Sequence, residues 1–105
     1  MRIRCICIDD KKKPSIIPDS KWIKEGEVYH ITHIFIQKLQ GDIQGCELAE
    51  TDINAYKPYN CFRLDRFAIN KDDVDKLIEL AKICSDLNNV TIDIDKLTEK
   101  IITHE

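Results

Sequence analysis

The stretch Phe67-Ala68-Ile69-Asn70-Lys71-Asp72-Asp73-Val74-Asp75-Lys76-Leu77-Ile78 decides how this chain is organised, because the spacing of its apolar residues changes at Asn70. Before Asn70, apolar residues recur in short alternating runs, the period of half-buried strands. After it, Val74, Leu77, Ile78, Ala81, Cys84 and Leu87 recur at intervals of three and four, which is one face of a helix. Asn70 is a favoured N-cap, Asp72 and Asp73 place carboxylates at the positive end of the helix dipole, and Ile69 is spaced to staple onto Val74. Asn88-Asn89 ends the stripe. A second stripe, Ile94, Leu97 and Ile101 behind Asp93, predicts a shorter helix to about Thr103, and Val90, Ile92 and Ile94 also alternate as a brief strand would.

Upstream, Arg2 to Ile8 sets Ile3, Cys5 and Cys7 against Arg2, Arg4 and Ile6, which predicts a first strand with Ile3, Cys5 and Cys7 inside. Asp9 to Ser20 is polar and holds Pro14 and Pro18, neither of which donates to a ladder, so it reads as a long loop pinned by Ile16 and Ile17. Gly26 sits at a turn leading into the longest strand, Glu27 to Gln37. Tyr29 and Ile31 fall on one face of that strand and Ile34 and Ile36 on the other, so a bulge is expected near Thr32-His33. Gly41-Asp42 and Gly45 bracket a hairpin connection, and Cys46 to Glu50 returns with Cys46 and Leu48 on one face. Thr51 to Asn60 reads as loop. Arg63 to Ile69 reads as a last strand, with an irregularity near Asp65 because Leu64 is out of phase with Phe67 and Ile69.

At 105 residues, 43% hydrophobic and 33% charged, the composition is that of one ordinary globular domain. The net charge of −3 gives no basic footprint for nucleic acid. Residues 1–69 hold 11 Lys plus Arg against 10 Asp plus Glu, and residues 70–105 hold 5 against 9, so the acidity belongs to the helical part. Five cysteines cannot complete an intramolecular disulfide framework, so reduced thiols are expected. The N-terminal apolar run is too short for a signal peptide and no run approaches a membrane span, which gives a cytoplasmic location and no membrane partner as expectations.

Cys5-x-Cys7 with His30-x-x-His33 invites a zinc site, but histidines three apart on a regular strand face opposite ways, and a bulge would still leave them about 10 Å apart. Buried thiols and surface histidines are therefore expected, with no metal and no cofactor. A nucleophile elbow, a Gly-rich phosphate loop and a Cys-His signature are all missing, so the chain reads as non-enzymatic. Asp9-Asp10 reads as a solvated turn. Trp22, Tyr29, Tyr56, Tyr59 and Phe62 concentrate in the β half, with Tyr56-Lys57-Pro58-Tyr59 on a loop. Aromatic residues grouped in this way build grooves for extended peptides, although Trp22 and Tyr29 would equally cover the ends of a small core. Lys11-Lys12-Lys13 with Arg63 and Arg66 is the local support for a nucleic-acid alternative.

Cys7-Ile8-Asp9-Asp10, Ile17-Pro18, Lys21-Trp22-Ile23-Lys24-Glu25-Gly26-Glu27 with Tyr29, Leu48-Ala49-Glu50, Tyr59 and Arg66-Phe67-Ala68-Ile69 together resemble short uncharacterised proteins of gut anaerobic bacteria and their phages or mobile elements. The resemblance spans about residues 3–69 and implies an SH3-like barrel, with no activity to carry over. The expected architecture is thus mainly β with an α tail: a five-stranded SH3-like small barrel over 1–69, and a helical extension over 70–105 with one long and one short helix packed on it. The expected function is an interaction module binding a protein or peptide through an aromatic surface. The candidate binding residues are Trp22, Tyr29, Tyr56, Tyr59, Phe62, Arg63 and Arg66. A nucleic-acid module and a metal or thiol site at Cys5 and Cys7 are the alternatives.

Overall fold

The first strand, β1 (Ile3–Cys7), lies at the middle of a sheet, and the computed structural model of the chain describes residues 2–37, 43–56, 59, 61–88 and 102–104. Ile3, Cys5 and Cys7 all face the core, as their alternation predicts. On one side β1 pairs antiparallel with β2 (Val28–Gln37), which pairs with β3 (Ile43–Leu48) and then β4 (Phe62–Arg63). On the other side it pairs antiparallel with β5 (Phe67–Asn70). These five strands curl into a half-barrel, closed over on one side by a helix, α1 (Val74–Asn88).

The bulge falls where the phase of β2 demands it. Ile31 pairs with Leu48 and His33 with Glu47, so one residue is inserted at Thr32, and Tyr29, Ile31 and Ile34 all reach the interior. Without that insertion, Ile34 would face solvent. The irregularity near Asp65 is larger than a bulge: the expected single strand from Arg63 to Ile69 is two strands separated by a 3-10 turn over Leu64–Arg66. One helical turn rotates the chain enough for Leu64 and Phe67, three apart, both to be buried.

The loop between β1 and β2 is pinned by Ile17, whereas Ile16 is exposed, so one isoleucine of the pair does the anchoring. Gly26 has φ +88°, a conformation that disfavours any Cβ, and its N–H donates to the Cys7 carbonyl at 2.8 Å. This closes the loop onto the end of β1.

Asn70 caps as expected, its Oδ1 accepting from the Asp72 N–H at 2.9 Å, and a 3-10 turn over Lys71–Asp73 leads into α1. Leu77, Ala81 and Cys84 are buried from the expected stripe, Val74 and Ile78 are half-buried, and Leu80 joins the buried set. The helix lies on β2, where the Ile34 N–H donates to Cys84 Sγ at 3.4 Å.

A helix reaching Thr103 is overturned. Ile102–His104 is a strand, β6, parallel to β5 in the register Ala68↔Ile102, Ile69↔Thr103 and Asn70↔His104. The physical reason is the open edge of β5: its backbone groups need partners, and β-branched Ile102 and Thr103 suit a strand. Parallel neighbours require a crossover, and α1 is part of it. Among the described residues, the C-terminal part thus holds a helix and a sixth strand of the same sheet. The stripe residues Ile94, Leu97 and Ile101, and the alternation from Val90, lie outside the described residues.

Candidate functional site

The seven candidate binding residues divide into three groups. Tyr29 and Phe62 are core residues: both are buried, and each meets Phe67 edge-on, at 6.2 and 6.4 Å between ring centroids. The Tyr29 hydroxyl also accepts from the Lys24 N–H at 2.9 Å, and burial pushes its pKa up. Neither ring is presented to a partner, so their reading as contact residues is corrected. The cause lies in the pairing: Tyr29 is opposite Cys5 and Phe62 opposite Cys46, both on the inner face of the sheet.

Arg63 and Arg66 are both engaged within the chain. Arg63 makes a fork to Asp65, with Nη2 to Oδ2 at 2.8 Å and Nε to Oδ1 at 3.2 Å. Arg66 is largely buried beneath the loop after β1. Its Nη1 donates to the Lys11 carbonyl at 2.8 Å and the Asp9 carbonyl at 3.3 Å, and lies 3.5 Å from the Asp9 carboxylate. Lys13 is likewise held, donating to the Ile17 carbonyl at 2.5 Å and pairing with Asp19 at 3.4 Å. Of the five cations that supported the nucleic-acid alternative, three thus face partners of their own. Lys11 and Lys12 remain as exposed side chains.

Trp22, Tyr56 and Tyr59 form the third group. Trp22 is half-buried, its ring 5.5 Å from Phe62 beneath and 5.2 Å from the Arg66 guanidinium, and its Nε1–H donates to the Asp10 carbonyl at 2.7 Å. Tyr56 packs against the core edge and Tyr59 is exposed, with the Tyr59 N–H donating to the Tyr56 carbonyl at 3.0 Å. The Thr51 hydroxyl donates to the Lys21 carbonyl at 2.7 Å, which ties the loop carrying Tyr56 to the segment carrying Trp22. Lys57 and Pro58 lie outside the described residues.

Two carboxylates after β1 hold the loop, one in the turn that Asp9-Asp10 predicts and one in a contact that the sequence does not show. Asp10 Oδ2 accepts from the Glu25 N–H at 2.9 Å, and Asp9 Oδ1 from the Lys11 N–H at 2.9 Å. The second is an Asx turn, in keeping with the turn read at Asp9-Asp10; the first joins residues fifteen apart and has no local signature. A shallow cleft of about 50 Å³ lies beside β4, lined by Leu48, Ile53 and Phe62 with Glu47, Thr51 and Asp52 among its polar walls.

The cysteines and histidines lie apart. Cys5, Cys7 and Cys46 are buried in the core, whereas His30 and His33 stand partly exposed beside Glu50 (2.6 Å) and Glu47 (3.7 Å). Among the described residues, no three His, Cys, Asp or Glu side chains stand close enough to hold a metal ion. Burial, reinforced by nearby Glu50 and Cys7, pushes the Cys5 thiol up to about 12, and burial raises Cys7 and Cys46 as well. Protonated thiols of this kind are poor nucleophiles. Burial pulls the Glu50 carboxyl up, but hydrogen bonds from His30 outweigh it and leave the group below its ordinary value.

Among the described residues, no helix is long and apolar enough to cross a membrane. Compared with family models, curated proteins and solved structures, the chain matches none.

Proposed function

We propose that this chain is an SH3-like barrel acting as a non-enzymatic cytoplasmic interaction module, which binds an extended segment of a protein partner along the rim made by Trp22, Tyr56 and Tyr59. Support for the barrel assignment is the strand order β4-β3-β2-β1-β5, with a long loop after β1 and a 3-10 turn before β5. The resemblance to proteins of gut anaerobic bacteria and their phages or mobile elements belongs to the same proposal and rests on the residues quoted for it. Five cysteines without a disulfide are consistent with a reducing compartment.

One observation carries the binding reading: Trp22 is held by the Phe62 ring, by the Arg66 guanidinium over its face and at its N–H by the Asp10 carbonyl, yet stays half-exposed. A large ring fixed in one pose loses little entropy on binding, which is the property of an interface anchor. The test is recovery of partners from host lysate, with and without nuclease, by the wild type and by Trp22→Ala and Tyr59→Ala. The reading expects a nuclease-resistant protein partner that both substitutions lose. Undiminished recovery by both variants overturns it, and a nuclease-sensitive catch transfers the case to nucleic acid.

A further inference from the structure

We infer that Arg66 is a positioning residue, which joins the strap Asp9–Lys12 and the Trp22 ring into one unit that opens and closes together. Three successive carbonyls of the strap are each captured by a side chain from outside it. Those of Asp9 and Lys11 accept from Arg66 Nη1, and that of Asp10 accepts from Trp22 Nε1–H. The two capturing groups lie on one another, with the guanidinium carbon 5.2 Å from the centre of the indole ring. Withdrawing either one therefore leaves strap carbonyls without their donors and the other capturing group without its neighbour.

The strap itself has little else to hold its shape. Lys12 adopts φ +61°, a left-handed conformation that a lysine takes up only when its surroundings impose it. Lys11 and Lys12 point to solvent, so the strap buries no apolar side chain of its own. Its other ties include the Asp9 backbone on the Cys7 thiol, the Asp9 to Lys11 turn and the Asp10 carboxylate on the Glu25 N–H. The backbone carbonyl of Arg66 accepts from the Ile8 N–H at 2.8 Å, which fixes the arginine's own position against the end of β1. Arg66 is thus anchored to the sheet while its side chain reaches the strap. Nη1 alone supplies both strap bonds while the planar guanidinium covers the indole, and the compact, strongly hydrated ammonium of a lysine is a poorer match to that pair of contacts.

The consequence concerns the rim proposed above: a partner that contacts Trp22 also senses whether the strap is closed, and a ligand of the strap alters how Trp22 is presented. The linkage is testable without any partner, so its failure leaves the interaction reading standing, and the failure of that reading leaves the linkage standing.

The experiment uses the full chain, in which Trp22 is the only tryptophan. Limited trypsin digestion under native conditions reads opening of the strap at Lys11 and Lys12, cleavage at Lys76 and Lys82 of α1 reads global unfolding, and acrylamide quenching reads exposure of the indole. Arg66→Lys is expected to speed cleavage of the strap by about tenfold or more and to raise quenching of Trp22, with α1 cleaved at close to the wild-type rate. Trp22→Phe, which keeps a ring and removes the N–H, supplies the second arm. It is expected to speed cleavage of the strap although Trp22 lies ten or more residues away in sequence. Strap cleavage unchanged in Trp22→Phe, quenching unchanged in Arg66→Lys, or strap and α1 cleavage rising in parallel would each overturn the inference.

Discussion

The sulfur of Cys61 occupies the space that a Cβ on Gly45 would need. Gly45 sits within β3 between Phe35 of β2 and Arg63 of β4, and a Cβ built there meets Cys61 Sγ in steric overlap and the Phe62 carbonyl at 3.3 Å. The glycine is required for close approach at the edge of the sheet rather than for a turn. Gly45→Ala should destabilise the fold by about 1–3 kcal/mol, the range for overpacking a filled site. Pairing it with Cys61→Ala should recover part of that loss. A double-mutant cycle in urea measures the coupling, and strictly additive effects would contradict the contact.

The buried thiols predict an alkaline limit. The folded chain holds the Cys5 proton to about pH 12, whereas the ordinary thiol value is 9.0, so above pH 9 the folded state binds more protons than the unfolded one. The stabilisation is complete below pH 9 and is lost as pH rises toward 12. Denaturation midpoints should fall across that window, and Cys5→Ala should show a shallower fall from a lower starting stability. At neutral pH, a thiol-specific reagent should modify Cys5, Cys7 and Cys46 only at the rate at which the chain opens. Prompt modification of Cys5 would contradict its burial.

Glu50 predicts the acid side. Its carboxyl lies below the ordinary value through the hydrogen bonds from His30, so its contribution is present above that ordinary value and is lost as pH falls through the folded one. Partial exposure keeps the effect small. Glu50→Gln should lose less stability than the wild type as pH falls below the ordinary carboxylate value. Parallel titration curves would exclude the His30 contact as its source.

The cap at Asn70 links the last antiparallel strand to the helix. Asn70→Ala should cost about 0.5–2 kcal/mol by leaving the Asp72 N–H without its acceptor, and Asn70→Asp should retain most of the stability. Thermal unfolding followed by helical circular dichroism measures both.

Most of the fold was legible where one period governed one element. Ile3, Cys5 and Cys7 placed β1, the broken phase between Ile31 and Ile34 placed the bulge, and Asn70 placed the start of the helical region. What escaped was non-local. Ile94, Leu97 and Ile101 have helical spacing, yet Ile102–His104 answers to the open edge of β5, which no window around residue 102 reveals. Part of the candidate site turned on the same kind of non-local pairing. Tyr29 and Phe62 look like interface aromatics until their register against Cys5 and Cys46 puts them inside, and Arg66 looks like a free cation until the strap folds over it. Trp22 and Tyr59 lie outside the strands, where no register turns them inward, and Thr51 ties the segment before Tyr56 to Lys21.

The most direct test of the binding rim is the affinity of a recovered partner for the wild type against Tyr59→Ala, with the unfolding midpoint measured alongside. Tyr59 is the clean position, because its ring is exposed, whereas removing Trp22 also removes packing on Phe62. The account predicts a loss of about 2 kcal/mol in binding, roughly thirtyfold in Kd, with stability unchanged within about 0.5 kcal/mol. Unaltered affinity at unaltered stability would contradict it.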